Sequence, residues 1–211
     1  MDQLVTSGNQ TMSKNIVRHN ATVTRHRRKL QNKHKSFVLW FTGFSGSGKS
    51  TLAHTVEEQL HQMGCRTYVL DGDNVRHGLC SDLGFSSDDR TENIRRIGEM
   101  ARLFVDAGII SLAAFISPAL KDRQTIRSLF AEGDFVEIYC KCSIETCEHR
   151  DTKGLYKRAR EGKIGEFTGI TATYEEPVSP DLVLDTEHES LMECAQRVLV
   201  LLKTRNLLIE P

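Results

Sequence analysis

The sequence contains no apolar run that approaches the roughly 18 residues needed to span a membrane. Apolar stretches such as 37–41 and 198–202 have the length of core elements. Residues 1–36 also lack the apolar segment of a secretory signal, although their Arg-rich, acid-poor composition is compatible with an organellar transit peptide. We therefore expect a cytoplasmic protein with no membrane partner.

The sequence also lacks an excess of charge, because its 28 Lys and Arg residues are matched by 28 Asp and Glu residues. This balance gives no global reason to expect a nucleic-acid partner. The distribution is uneven, since residues 1–36 contain eight Lys and Arg residues and one acid, Asp2. We divide the chain into a basic N-terminal arm over residues 1–36 and one domain over residues 37–211, which nearly exhausts the 211 residues.

No Cys-x-x-Cys pair occurs among the six cysteines, and no second Cys or His pair stands at zinc spacing from Cys140 and Cys142. A chain of this size needs no disulfide framework. We expect reduced thiols that behave as small apolar residues.

From residue 37 onward, short apolar runs alternate with helical patterns, which is typical of a parallel sheet. The predicted strands are 37–42, 67–70, 109–116, 135–140 and 182–184. Helices are predicted over residues 50–63, after a cap at Ser86 or Ser87, and after Ser117-Pro118. The predicted fold class is α/β, with three layers, a mostly parallel sheet and helices on both faces.

Residues 151–170 lack apolar periodicity and contain four glycines and five basic side chains. We interpret this segment as a mobile basic lid that neutralises a transferring phosphoryl group and excludes water. The alternative is a solvated charged loop.

Residues 43–50 match the pattern G-x-x-x-x-G-K-[ST] between a predicted strand and a predicted helix. In this context the motif is a P-loop, whose backbone N–H groups surround phosphate oxygens. Lys49 can reach the β- and γ-phosphates of ATP, and Ser50 offers a hydroxyl to Mg²⁺. The predicted nucleotide-binding residues are Gly43, Phe44, Ser45, Gly46, Ser47, Gly48, Lys49, Ser50 and Thr51.

Two carboxylates, Asp71 and Asp73, follow the second predicted strand at its carboxyl end, where open α/β sheets bind ligands. They can hold magnesium, or orient and deprotonate an acceptor hydroxyl. The alternative is that one of them only caps the helical turn near Asn74.

Arg90 and Asn93 lie on the core face of the long helix predicted after Ser87. Polar groups at that position, beside a P-loop, favour an anionic second substrate, although Arg90 could form a structural ion pair. Arg76 points to the same site, and Phe85 could stack on a base or fill the core. These residues predict a small P-loop kinase for an anionic acceptor.

Several segments closely resemble the adenylyl-sulfate kinase (APS kinase) family, and together they span nearly the whole chain from about residue 15. They are residues 39–43 before the P-loop, 70–79 (Leu-Asp-Gly-Asp-Asn-Val-Arg-His-Gly-Leu), 82–86, 89–97, 115–118 (Phe-Ile-Ser-Pro), 153–157 (Lys-Gly-Leu-Tyr-Lys), 167–170 and 174–175. The resemblance implies transfer of the γ-phosphoryl of ATP to the 3′-hydroxyl of adenosine 5′-phosphosulfate. The product would be 3′-phosphoadenosine 5′-phosphosulfate, used in sulfate assimilation.

The resemblance also implies roles for individual residues and a homodimer. Phe85 and Phe167 would sandwich the acceptor adenine. The other implied substrate contacts are Arg76, Arg90, Asn93, Ile116 and Lys153.

Asp73 is our candidate for orienting the 3′-hydroxyl, and Asp71 is expected nearer magnesium with Ser50. A serine at the position of Ser117 has been proposed to carry the phosphoryl group, and we retain it as a catalytic candidate while favouring direct transfer.

Two alternative functions remain open. The chain could be a P-loop kinase for another small anionic acceptor, such as a nucleoside monophosphate or a sugar acid. It could also be a nucleotide-dependent binding module with slow ATPase activity, although a lid together with Arg90 and Asn93 argues against that class.

Overall fold

The computed structural model describes His19 and residues 21–208, so residues 1–18 of the predicted basic arm, including Lys14 and Arg18, lie outside the described residues. Five strands form one sheet in this part of the chain: β1 (Val38–Thr42), β2 (Thr67–Asp71), β3 (Ile110–Ala114), β4 (Phe135–Lys141) and β5 (Leu182–Asp185). Their order across the sheet is β2-β3-β1-β4-β5, and each neighbouring pair is parallel. The five predicted strands are confirmed.

Helices fill the connections between the strands. They are α1 (Arg25–Asn32), α2 (Lys49–Gln62), α3 (Gly72–Arg76), α4 (Ser87–Asp106), α5 (Leu120–Arg127), α6 (Ile144–Arg150), α7 (Leu155–Arg160) and α8 (Leu191–Thr204). None of the helices between residues 21 and 208 is both long and apolar enough to cross a membrane.

Alternation along β1 builds two cores, because successive side chains of a strand point to opposite faces of a sheet. Leu39 and Phe41 pack with residues of α2 and α8 on one face. Val38 and Trp40 pack with residues of α4 and α5 on the other face. The predicted three-layer α/β fold is therefore confirmed.

Both ends of the longest helix, α4, have identifiable caps. Ser86, rather than Ser87, caps α4, because its hydroxyl accepts a hydrogen bond from the backbone N–H of Asp89 at 3.2 Å. Gly108, with φ of 83°, follows the last turn of this helix and lets the chain reverse into β3.

The described part of the basic arm packs on the body of the protein. The guanidinium of Arg25 in α1 pairs with the carboxylate of Asp134 and donates from Nε to Ser36 Oγ at 2.9 Å. Asn32 Nδ2 donates to the carbonyl of Gly108 at 2.8 Å. These contacts join α1 to the loops before β3 and β4.

All six cysteines are buried, and none forms a disulfide. Cys140 and Cys142 lie at the end of β4 and just beyond it. The prediction that the cysteines behave as buried core residues is confirmed.

Candidate active site

The P-loop joins β1 to α2 at the carboxyl edge of the sheet. No side chain fits at Gly43 or Gly46 without a shift of the backbone. A Cβ at Gly43 would lie 2.5 Å from the carbonyl oxygen of Cys140, and a Cβ at Gly46 would lie 2.9 Å from the carbonyl oxygen of Cys147. Gly48, with φ of 85°, precedes α2 without a capping side chain. The first N–H groups of α2 are therefore free to bind an anion, and the exposed side chains of Ser50 and Thr51 lie beside them in the first turn.

Lys49 curls back over the P-loop. Its Nζ donates to the carbonyl of Phe44 at 2.6 Å and approaches Ser47 Oγ at 3.5 Å. Burial lowers the pKa of Lys49 to about 8, although the negative charge of Asp71 works in the opposite direction. A buried cation of this kind gains stability from the oxygens of a phosphate.

The two carboxylate oxygens of Asp71 lie in different environments. Its Oδ1 accepts a hydrogen bond from the backbone N–H of Asp73 at 3.0 Å and so caps α3. Its Oδ2 is buried and has no hydrogen-bond partner among the described residues. One oxygen therefore supports the turn, which confirms the predicted cap, and the other makes no hydrogen bond within the described residues.

Asp73 lies in the first turn of α3 with an exposed side chain. Its carboxylate forms an ion pair with Lys153 of the lid. The structure thus brings together one predicted catalytic residue and one predicted substrate-binding residue, from opposite sides of the site.

Ser117 follows β3 in a left-handed conformation with φ of 40°, and its side chain is buried. Trp40 Nε1 donates to the Ser117 hydroxyl at 3.1 Å, and this hydroxyl donates to Thr42 Oγ1 at 3.1 Å. Thr42 Oγ1 in turn donates to the carbonyl of Ile116 at 2.7 Å. The Ser117 hydroxyl is therefore part of a network beneath the start of the P-loop.

Four predicted acceptor-binding residues lie on α3, on α4 and in the loop between them. The Arg76 guanidinium lies 4.3 Å from the ring centroid of Phe85 and donates to the carbonyls of Leu83 and Gly84 at 3.1 and 2.8 Å. Phe85 is 63% exposed, which excludes the alternative that it fills the core. Its outer face is available for stacking on a base.

The other two residues lie about one turn apart on α4, and one of them contacts the lid. Arg90 donates to Thr168 Oγ1 at 3.0 Å and to the carbonyl of Glu166. Asn93 is buried, and its Oδ1 has no partner among the described residues. Arg90 also lines an open cleft between α4, Pro118 and the lid. No carboxylate bonds to Arg90 within the described residues, so the predicted alternative of a structural ion pair is wrong.

The lid has more internal structure than its sequence suggested. It contains α7, and the side chains of Tyr156, Ala159 and Phe167 pack in a small core of their own with Cys142 and Cys147. The Tyr156 hydroxyl donates to the carbonyl of Ser45 at 2.9 Å, which joins the lid to the P-loop. The lid is therefore not a loop without apolar order, because its few apolar residues share one small core.

The predicted aromatic pair is in two different environments in this structure. The Phe167 ring is buried, with its centroid 4.9 Å from that of Tyr156, whereas Phe85 is exposed. The basic side chains of the lid point outward, and Arg160 and Lys163 pair with Glu148 and Glu161.

Two residues of this region were not singled out from the sequence. Arg123 of α5 is buried and contacts Glu137 of β4 at 2.9 Å. Tyr174 bonds Thr42 through its hydroxyl at 2.9 Å and packs on Phe44 with ring centroids 5.0 Å apart. For Arg123 the available signal was Glu137, a glutamate inside the otherwise apolar strand β4. A buried carboxylate of this kind requires a positive partner.

Known proteins were compared with the chain in sequence and in structure. A family model described as adenylylsulphate kinase matches residues 35–185. The adenylyl-sulfate kinase of Acaryochloris marina is 60% identical over 195 residues, which is 92% of this chain and 95% of that protein.

Solved structures give the same result. The APS kinase CysC of Mycobacterium tuberculosis in complex with AMPPNP and APS is 47% identical, with a TM-score of 0.77 over 81% of this chain and 99% of that chain. The hexameric APS kinase of Thiobacillus denitrificans is 32% identical, with a TM-score of 0.65 over 87% of this chain and 32% of that chain.

Proposed function

The chain belongs to the adenylylsulphate kinase family, and from this premise we propose how its residues move the γ-phosphoryl of ATP to the 3′-hydroxyl of adenosine 5′-phosphosulfate. The product is 3′-phosphoadenosine 5′-phosphosulfate, and the reaction belongs to sulfate assimilation. The observation that supports the assignment of roles is that Lys49, Asp71 and Asp73 lie at one sheet edge. The acceptor-side candidates follow Asp73 on α3, on α4 and in the loop between them; they are Arg76, Phe85, Arg90 and Asn93.

On the nucleotide side, residues 43–51 bind the phosphates of ATP through backbone N–H groups. Lys49 leaves the carbonyl of Phe44 and pairs with the β- and γ-phosphates, because phosphate oxygens compensate its burial better than one carbonyl does. Its charge stabilises the transferring phosphoryl group.

The residues present fit Mg²⁺, which prefers oxygen ligands and is held by one or two protein groups together with substrate phosphates. Asp71 provides a buried, unpaired carboxylate oxygen, and Ser50 provides a hydroxyl in the first turn of α2. When bound with ATP, Mg²⁺ neutralises phosphate charge. The described residues contain no cluster of three or more His, Cys, Asp or Glu side chains that could hold a metal alone.

On the acceptor side, Phe85 stacks on the adenine, and Phe167 completes the sandwich when the lid moves. Arg76, Arg90 and Asn93 bind the phosphosulfate and the sugar, and Ile116 lines the site. Because the guanidinium of Arg90 now bonds Thr168 and Glu166, acceptor binding and lid position compete for the same donors.

Asp73 orients the 3′-hydroxyl and takes its proton during transfer. To do so it must exchange Lys153 for the acceptor, and Lys153 then pairs with the acceptor's anionic groups. Transfer is direct, because the Ser117 hydroxyl is held by Trp40 and Thr42 within a buried network.

We further propose that residues 37–211 form the catalytic domain, that the active enzyme is a homodimer, and that it works in the cytoplasm. The basic arm packs on this domain through α1, and the expectation that the six cysteines are reduced suits a reducing compartment.

The test is ADP formation by the purified protein with Mg-ATP, with and without low-micromolar adenosine 5′-phosphosulfate, with the nucleotide product identified by mass. We expect ADP that depends on the acceptor, together with the 3′-phosphorylated product. Stimulation by a nucleoside monophosphate or a sugar acid instead would favour the alternative acceptors. ADP formation that is independent of every acceptor would favour a slow ATPase.

A further inference from the structure

We propose that Arg123 is a positioning residue for phosphoryl transfer, which fixes the loop after β3 and the segment after the lid relative to each other. The inference rests on the proposed function and adds a residue to it. Arg123 lies on α5 and touches neither the P-loop nor the acceptor-side residues Arg76, Phe85, Arg90 and Asn93 in the hydrogen bonds of the described residues.

The guanidinium of Arg123 makes three contacts in three directions. Its Nη1 donates to the carbonyl of Ser117 at 2.5 Å, and its Nη2 donates to the carbonyl of Glu175 at 2.6 Å. Its Nε donates to Glu137 Oε1 at 2.9 Å, in an ion pair in which the Arg123 side chain is 1% exposed. The planar fork of an arginine can satisfy all three acceptors at once.

A buried charge of this kind is expensive and needs a compensating partner, which Glu137 supplies. A packing role alone would be filled by an apolar residue at lower cost, so the charge has a different use. It holds Ser117 at φ of 40°, a conformation that non-glycine residues rarely adopt.

The contacts of Glu175 extend this arrangement. Its backbone N–H donates to the carbonyl of Pro118 at 2.9 Å, and its Oε2 accepts from the backbone N–H of Leu120 at 2.6 Å. Its neighbour Tyr174 packs on Phe44 of the P-loop. The segment that leaves the lid is therefore fastened to the loop carrying Ile116 and Ser117, and Arg123 lies at the centre of this junction.

The structural consequence concerns lid closure rather than nucleotide binding. If the end of the lid is free to shift, the lid residues that contact the acceptor are no longer held at fixed positions when the lid closes. A misplacement of about 1 Å can reduce a transfer rate by about 100-fold. ATP binding depends on the loop over residues 43–51 and should change little.

The test compares Arg123→Lys with wild type and with Arg127→Gln as a matched control. Arg127 lies on the same helix and also pairs with Glu137, at 3.3 Å, and with Asp181, at 2.9 Å, but it has no hydrogen bond to Ser117 or Glu175. We expect Arg123→Lys to lower kcat by about 100-fold with the KM for ATP within about twofold, and Arg127→Gln to stay near wild type in both.

Limited digestion with trypsin adds a readout that does not need turnover, because the lid is rich in lysine and arginine. Arg123→Lys should be cut in the lid several-fold faster than Arg127→Gln at equal global stability. Equal cleavage rates and an unchanged kcat would overturn the inference.

A second variant keeps the test decisive if Arg123→Lys fails to fold. Glu175→Ala removes an exposed side chain that caps Leu120 in the same junction, and it should lower kcat and speed lid cleavage in the same way. A folded Glu175→Ala enzyme whose lid is cut faster but whose kcat is that of wild type would reject the inference, because the junction would then be loosened without any effect on transfer. If the wild type itself forms no acceptor-dependent ADP, the proposed function fails and this inference fails with it.

Discussion

Burial of the Lys49 ammonium is unfavourable for the fold, although the proposed mechanism needs this charge. The side chain is 7% exposed, and its pKa is lowered by burial to about 8. Folding therefore disfavours its charged form, while the proposed mechanism uses that form at the phosphates of ATP. Conflicts of this kind between stability and activity are expected at functional sites.

We expect Lys49→Met to abolish phosphoryl transfer and to raise the free energy of unfolding of the ligand-free protein at pH 7 by about 1–2 kcal/mol. One pKa unit corresponds to about 1.4 kcal/mol, and the lost hydrogen bond to Phe44 offsets part of the gain. Urea unfolding measures the change, with Lys203→Met at an exposed position of α8 as the control. A variant less stable than wild type would contradict the desolvation argument.

The pH dependence of this difference has a defined sign. The pKa of Lys49 in the folded protein, about 8, lies below its ordinary value of 10.5. Between these values the unfolded chain binds more protons, so wild-type stability gains from this group as the pH rises. The advantage of Lys49→Met should be complete below pH 8 and shrink toward pH 10.5, which unfolding at pH 7 and pH 9.5 can compare.

At Asp73 the expected defect is kinetic. Its carboxylate is exposed and bonded to Lys153 rather than to the P-loop, so Asp73→Asn should leave the KM for ATP within about twofold. Loss of a general base should lower kcat by about 100- to 1000-fold. Steady-state assays against both substrates measure this split, and Asp106→Asn on the exposed end of α4 is the control. An unchanged kcat would remove Asp73 from proton transfer.

At the scale of elements, the five strands could be predicted because each has a short apolar run with a turn on either side. The P-loop could be placed because its turn requires glycine, which leaves a recognisable pattern in the sequence. In the structure Gly43, Gly46 and Gly48 have positive φ angles that other residues rarely adopt. Asp71 was harder, because capping a turn and facing a cation need the same carboxylate, and only the structure separates its two oxygens.

The lid was the element least accessible from the sequence. Its small core contains the buried side chains of Tyr156, Ala159 and Phe167. They pack with Cys142 and Cys147, which precede the lid in the chain. Helical periodicity does not report a core that is shared between a six-residue helix and a separate loop. The junction around Arg123 was missed for a similar reason, since its partners Ser117, Glu137 and Glu175 come from three different elements.

The hydrogen bond from Tyr156 to the carbonyl of Ser45 gives the lid a measurable role. We expect Tyr156→Phe to keep the small lid core, because the ring is retained, but to loosen the lid from the P-loop. Water should then reach the γ-phosphate more often, so the fraction of ADP formed without acceptor should rise several-fold. The ratio of ADP to 3′-phosphorylated product measures this uncoupling.

Tyr139→Phe is the comparison for that experiment, because Tyr139 is also buried but stacks on Tyr174 in the body of the protein. It should keep the wild-type ratio of ADP to product. Equal ratios in Tyr156→Phe and wild type would mean that the lid excludes water without this bond.

For the whole molecule, the sequence divides charge between a basic arm and an acidic body, and the structure shows how the described part of the arm is attached. The Arg25 guanidinium bonds both Asp134 and Ser36, and Ser36 Oγ donates to the carbonyl of Val105 at 2.7 Å. The arm is thereby joined to the end of α4 and to the start of β4. These contacts lie at the amino edge of the sheet, away from the carboxyl edge that carries the P-loop.

Because attachment and chemistry lie at opposite edges, a change at Arg25 should alter stability without altering catalysis. We expect Arg25→Ala to lower the free energy of unfolding by about 1.5–3 kcal/mol, since it removes hydrogen bonds to a half-buried carboxylate, and to lower Tm by several degrees. The kcat and both KM values should stay within about twofold of wild type at a temperature where the variant is folded. Arg27→Ala is the control, because its guanidinium donates to the carbonyl of Thr22 on the exposed side of α1. A fall in kcat in folded Arg25→Ala would mean that the arm reaches the active site.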